Sequence, residues 1–371
     1  ANTYLQQVRE TGDPSLYNKA EDLLNKAAEI KPGQSELYAA QGSLALARHD
    51  FSAALRLGKQ AVVADPGNAG YYGIVGDAQV ELGQYEEAIK TYQAMVDRRP
   101  DFGSYSRVSH ARELYGDPQG ALQAMQLAIE AGSMVPENMA WAHVQAGNLF
   151  FLLGQLDRAA GEYDVSLQLL EDYPLALAGK AQVAAAKNDL SRAAELYERA
   201  FNRMPSPEYA ILLGDVYSKM GEKQKASEQY EIVKAIHKLQ QANGVNTDME
   251  TALFFADHDI ELQESLKKAR LAYEARPSIH AADALAWTLY KTGQPQEAQK
   301  YSAQALKLGT QDPLKLYHAG MIAKALGQTE QAREYLQRAV SLNPRFSVLY
   351  ADEAVAALEE LGVKTTSGRG R

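Results

Sequence analysis

The sequence predicts an all-α chain built as a solenoid of about ten helical hairpins with one further helix at the C-terminal end. Three observations carry this. An alanine recurs at Ala20, Ala54, Ala88, Ala121, Ala159, Ala193, Ala226, Ala298 and Ala332, with Ser265 filling the one open rung, in steps of 34, 34, 33, 38, 34, 33, 39, 33 and 34 residues. A fixed period in that range marks stacked units, none of which buries its apolar face alone. A small residue lies twelve positions before most rungs, at Gly42, Gly76, Ser109, Gly147, Ala181, Gly214, Ala286 and Gly320. Between the two, Gly83, Gly116, Gly154, Gly221, Gly293 and Gly327, with Asn188 in the equivalent place, supply residues that tolerate the left-handed conformation ending a helix. Each unit therefore reads as helix A, turn, helix B.

Helix B shows one apolar face at spacings of three and four, as in Ala88, Tyr92 and Met95, or Ala193, Tyr197 and Ala200. It stops near Pro32, Pro66, Pro100, Pro205, Pro277 and Pro344, because proline cannot continue a helix and disfavours the helical region in its predecessor.

These residues resemble the tetratricopeptide repeat, most clearly in Tyr72, Gly76, Gly83, Tyr85, Ala88, Tyr92 and Pro100. The resemblance covers nearly the whole chain and implies a right-handed superhelix whose concave groove is lined mainly by A helices. Units are expected to start near residues 1, 35, 69, 102, 140, 174, 207, 246, 279 and 313, with a final helix over 347–361. This continuous solenoid of residues 1–362 is followed by a basic Gly/Ser/Thr tail, 363–371. Unit 1 departs from the pattern, carrying Val8 where a small residue is expected. The steps of 38 and 39 residues are read as bends in one solenoid, the second after a helix B that runs through Ile236–Leu239 and breaks at Asn243-Gly244. The segment from Ala252 to Phe346 resembles tetratricopeptide segments common in bacterial proteins.

Composition narrows the function. The 371 residues carry a net charge of −9, which disfavours a general nucleic-acid binder, since that needs a basic face against phosphates. No stretch approaches the ~18 consecutive apolar residues of a membrane span. The absence of cysteine removes disulfides and thiolate chemistry. A chain opening on Ala1 leads to the expectation of signal removal and an extracytoplasmic or secreted location, with the cytoplasm as the alternative.

No phosphate-binding glycine loop, His-Glu-x-x-His or Gly-x-Ser-x-Gly elbow occurs, the seven histidines are scattered, and neither enzymatic activity nor a cofactor is expected. Asp257, Asp259 and Glu261 offer alternating carboxylates, a calcium candidate that lacks the glycine and closing glutamate of the EF-hand loop, so a solvated acidic turn is preferred.

Positions next to the small residue of helix A should sample the groove. They read Ser43, Asp77, His110, Asn148, Gln182, Asp215, Phe254, Trp287 and Met321, polar through the middle and apolar toward the C-terminus, with Tyr290 nearby. Such a stripe suits an extended peptide. Chaperone adaptors of the resembled family grip a terminal carboxylate with Lys, Asn and Arg. Asp77, Asn148, Asp215 and Trp287 stand here instead, so that clamp is not expected. Trp141, Phe151, Trp287, Tyr290 and Tyr317 read as inter-repeat core before they read as an aromatic binding stripe.

The two ends of a solenoid are distinct surfaces that join head to tail. The final helix carries a broad apolar arc. End-to-end self-association is therefore the favoured mode, through Tyr4, Leu5 and Val8 at one end and Val348, Tyr350, Val355, Leu358 and Leu361 at the other. Arg369 and Arg371 of the tail would then dock on a neighbour's acidic surface. A peptide-binding adaptor is the alternative. Either way the partner is a protein, another copy or an extended peptide.

Overall fold

The computed structural model describes residues 1–363. Among the described residues are twenty-one helices and no strand, pairing as ten hairpins followed by Ala351–Glu360. The A helices begin at Asn2, Ser35, Ala69, Phe102, Pro136, Pro174, Pro207, Asp248, Ile279 and Pro313. Nine fall within two residues of the positions read from the period. Unit 5 starts at Pro136 rather than 140, because its extra residues extend helix A, Pro136–Leu152, by a turn instead of lengthening the loop. The second long step lies in helix B of unit 7, Lys223–Ala242.

The turn chemistry follows the sequence. Gly83 takes φ +70° and Asn188 φ +63°, while His49 adopts φ +60° in unit 2. The next backbone N–H then donates to the carbonyl five residues back, as from Gln84 to Gln79 at 2.8 Å and from Asp189 to Ala184 at 2.9 Å, closing carbonyls the helix end leaves open. Every ladder alanine is buried, and the Ser265 hydroxyl that replaces one donates to the Ala252 carbonyl at 2.7 Å. In the same way the Ser109 hydroxyl, in the small-residue position, donates to the Ala121 carbonyl at 2.8 Å.

The small residue of helix A makes room for the tyrosine of helix B. A β-carbon on Gly76 would lie 2.2 Å from the Tyr92 ring, and on Gly147 and Gly214 it would lie 2.5 Å from Tyr163 and Tyr230. Those rings fill the hairpin because nothing larger than hydrogen faces them.

A helices of successive units pack on one another more extensively than B helices do, which places A inside and B outside. The superhelix then closes on itself. His49 Nδ1 meets the Asn246 carbonyl at 2.9 Å, the Ile279 N–H donates to Tyr85 Oη at 2.7 Å, and Asn343 Nδ2 donates to the Phe151 carbonyl at 2.7 Å. These pairs lie 197, 194 and 192 positions apart, so one superhelical turn takes between five and six units. Along this seam the A–B turns of units 1 to 5 abut the B–A loops of the turn above. Gly83 faces the Pro277 carbonyl, and Gly116 that of Gly309.

Both ends of the described residues join the seam. Gly12 faces the Pro205 carbonyl, Leu5 packs with Ala20, Leu24 and Leu37, and Val8 is buried. At the other end the expected helix over 347–361 starts only at Ala351, because residues 343–350 leave helix B of unit 10, Thr329–Leu342, as an irregular strap. Val348 packs against the core of units 6 and 7, and Lys219 of unit 7 binds Asp352 at 2.6 Å.

Candidate binding surface

The stripe beside the small residue is organised by the same tyrosines. Tyr92 Oη donates to Asp77 at 3.0 Å, Tyr163 Oη to Asn148 at 2.8 Å and Tyr230 Oη to Asp215 at 3.0 Å. The ring crosses the hairpin under the glycine, and its hydroxyl emerges at the next side chain. The spacing of fifteen residues between acceptor and tyrosine was present in the sequence, repeated three times, and it identifies a pair that apolar periodicity alone does not. In unit 6 the ring of Tyr197 is buried as well, yet its hydroxyl has no hydrogen-bond partner beside Gln182.

Asp77 is further fixed by Arg107 of the following unit, whose Nε and Nη2 donate to its two oxygens at 2.8 and 2.7 Å. Bidentate pairing of this kind orients a carboxylate as well as neutralising it. His110 and Asn148 are exposed, and Asp77 and Gln182 are half-buried.

From unit 7 onward the stripe is covered. Asp215 is buried and binds His258 Nε2 at 2.8 Å, with both side chains 7 % exposed. Burial opposes the charge on His258, but the Asp215 carboxylate outweighs it and holds the imidazole above its ordinary pKa. Phe254 is buried with its ring 4.8 Å from that of His258. Trp287, 1 % exposed, donates from Nε1 to Asp257 at 2.8 Å, and Tyr290 stacks on it at 4.9 Å. Met321 lies in the same buried cluster.

The C-terminal strap supplies the cover. The ring of Tyr350 stacks on Tyr317 at 4.9 Å, meets Trp287 edge-on at 5.5 Å, and its hydroxyl donates to Asp257 at 2.8 Å. Desolvation raises the Asp257 carboxyl above its usual range, with His318 and the Tyr350 hydroxyl acting against it. Phe254, Trp287 and Met321, expected as groove contacts, are therefore interior. Their apolar character belongs to a site the chain fills itself. Phe151 and Tyr317 are likewise core, whereas Trp141 and Tyr290 are partly buried.

The end-to-end set is corrected in the same way. Leu5, Val8, Tyr350 and Leu358 are buried within the chain, and Leu361 packs partly on the cluster that holds Leu358. Tyr4 packs on the unit 1 core, and Tyr4, Val348 and Val355 are half-buried. The broad apolar arc of the last helix arises because that helix faces units 8 to 10 and the strap together. Arg369 and Arg371 lie outside the described residues.

The calcium candidate does not assemble. Asp257 accepts from Trp287 and Tyr350, Asp259 pairs with Lys291 at 2.8 Å, and Glu261 is exposed in a left-handed conformation. Among the described residues no three acidic, histidine or cysteine side chains are grouped to hold a metal ion. No described helix is long and apolar enough to cross a membrane.

This architecture defines a helical-repeat scaffold. A tetratricopeptide repeat family profile matches residues 39–101, and a second of the same description matches 316–346. Those two segments are tetratricopeptide repeats by family profile, and the helical hairpins between them share their architecture. The chain is 29 % identical over 120 residues to the small glutamine-rich tetratricopeptide repeat-containing protein 2 of Saccharomyces cerevisiae, a match over 30 % of this chain and 35 % of that protein. The chain thus spans about a third of the length of that curated relative. Among solved structures, the APC/C hetero-tetramer Cut9–Hcn1 superimposes with a TM-score of 0.50 at 16 % identity, covering 93 % of this chain and 59 % of that one. The human IFIT1 dimer with PPP-AAAA gives 0.51 at 14 % identity, covering 88 % and 78 %. At these identities the likeness is one of fold. The repeat fold supports a protein–protein interaction scaffold.

Proposed function

We propose that this scaffold is non-enzymatic and binds an extended polypeptide along the A-helix stripe of units 3 to 6, in the manner of an adaptor. One observation carries the reading: the stripe is open at His110 and Asn148 and partly open at Asp77 and Gln182, while from Asp215 onward it is filled from within. The open part presents acceptors held in place by Tyr92 and Tyr163, which suits backbone N–H groups and basic side chains of a partner. The net charge of −9 favours the same kind of ligand.

A photocrosslinking residue at position 182 tests this. Crosslinks to a purified partner should form there and fail at position 90 on the exposed outer face of helix B. Equal crosslinking at both positions would remove the stripe from consideration.

End-to-end self-association loses most of its proposed contact set to the chain's own core and is the less favoured reading. A mass that rises with concentration in light scattering would restore it. The extracytoplasmic location and bacterial source stay proposals resting on the sequence expectations, and fractionation of the native source tests the first.

A further inference from the structure

Where the first superhelical turn meets the second, a cavity of about 460 Å³ opens between units that are far apart in sequence. The lower wall contributes His49, Glu81 and His110, and the upper wall Glu250, Arg276 and His280. Arg276 is buried and is the bridge between them: it donates to Glu250 at 2.8 Å and lies 3.6 Å from Glu81. One guanidinium thus serves two carboxylates, and the His49 imidazole stands 3.8 Å from Glu250 on its other side. Asp77, also on the wall, is already matched by Arg107.

The hydrogen-bond inventory is one-sided. Glu250 Oε2 is buried without a partner. His49 Nδ1 faces a carbonyl, so it must carry the proton, and in the neutral ring Nε2 is left as an acceptor. Burial, aided by Lys315, pushes His280 down to about 3, so its ring is neutral and likewise retains an acceptor nitrogen. Burial also pushes the Glu81 carboxyl up, with Arg276, His49 and His110 acting against it. Phe51 and Val80 complete the wall with apolar surface.

An acceptor-rich cavity in which two carboxylates share one guanidinium, with a buried carboxylate oxygen unpartnered and an apolar flank, is complementary to a cation that carries several N–H donors on a hydrocarbon stem. We propose that the inter-turn cavity binds a primary alkylammonium group, contributed either by a free diamine or by a lysine side chain. The lysine source rests on the peptide-binding reading above, and the diamine source does not. Because the walls belong to different superhelical turns, occupancy ties the turns together and stabilises the seam.

Calorimetry on the full chain with butane-1,4-diamine, with Nα-acetyl-lysine amide, and with its Nε-acetylated form tests the site. At least one of the two amines should bind and the Nε-acetylated form should not. Glu250→Gln should weaken binding by about tenfold or more, the worth of a hydrogen bond to a charged group. Glu81→Gln provides a second variant should the first disturb folding, which circular dichroism checks. The ring resonances of His49 and His280 should move on titration, locating the ligand. Diamine binding alone assigns the cavity to free amines, and lysine binding alone assigns it to a peptide. Absence of binding by either at ~10 mM, a weakness beyond any useful affinity, overturns the proposal. So does unchanged affinity in the Glu81→Gln, Glu250→Gln double variant. Neither failure touches crosslinking at position 182, which reads the peptide-binding surface separately.

Discussion

Replacing Gly116 by alanine tests whether the superhelix is closed on itself. Gly116 has φ +71°, and its β-carbon would lie 2.1 Å from the Gly309 carbonyl oxygen, a backbone atom with no side-chain freedom to move. Ordinary C···O approaches are about 3.3–3.6 Å, so the seam must open by more than ~1 Å or the turn must distort. Gly327 is the internal control. It has the same φ of +71° at the equivalent turn of unit 10, but nothing lies within 4 Å of its β-carbon. Both substitutions carry the ~1–2 kcal/mol of a β-carbon in the left-handed region. Only Gly116→Ala adds the overpacking term, about 1–3 kcal/mol. Chemical denaturation of the two variants, with small-angle scattering to follow radius, separates the terms. Gly116→Ala should be the less stable and the more expanded. Equal stability and equal radius in the two variants would refute the seam.

Three further outcomes are expected. Ala193→Leu, at a fully buried rung, should overpack the unit 6 hairpin and cost ~1–3 kcal/mol in a denaturant titration. Asn343→Ala removes the side-chain donor to the Phe151 carbonyl, which keeps its bond from the Gly154 N–H at 2.9 Å, and so should cost about 0.5–1.5 kcal/mol, whereas Asn138→Ala, outside the seam, should cost less. For the His258–Asp215 pair, a folded-state pKa held above ~6.5 means its stabilisation is complete below that pH and is lost as pH rises through the folded value. The stability gap between wild type and His258→Gln should therefore shrink from pH 6 to pH 8.5, and a constant gap would show that the pair contributes no titrating charge.

The candidate stripe was only half legible. Asp77, His110, Asn148 and Gln182 follow from their register with Gly76, Ser109, Gly147 and Ala181, because that register is local to one hairpin. Whether a stripe residue faces solvent is not local. Trp287 and Met321 occupy the same register as Asn148, yet the strap carrying Tyr350 covers them. The inter-turn cavity was not legible at all, since Glu81 and Glu250 share no period.

The sequence by itself determined the hairpin, its boundaries and its repetition, because each depends on contacts within about forty residues: a glycine beneath a tyrosine ring, an alanine at a helix crossing, a left-handed turn. Tertiary structure alone decided the pitch. A small rotation per unit accumulates until residues 192 to 197 positions apart touch, and no residue pattern within one unit encodes where that sum closes. Closure places most residues of both expected end faces in seam or core, and it opens a cavity that two turns build together at Arg276.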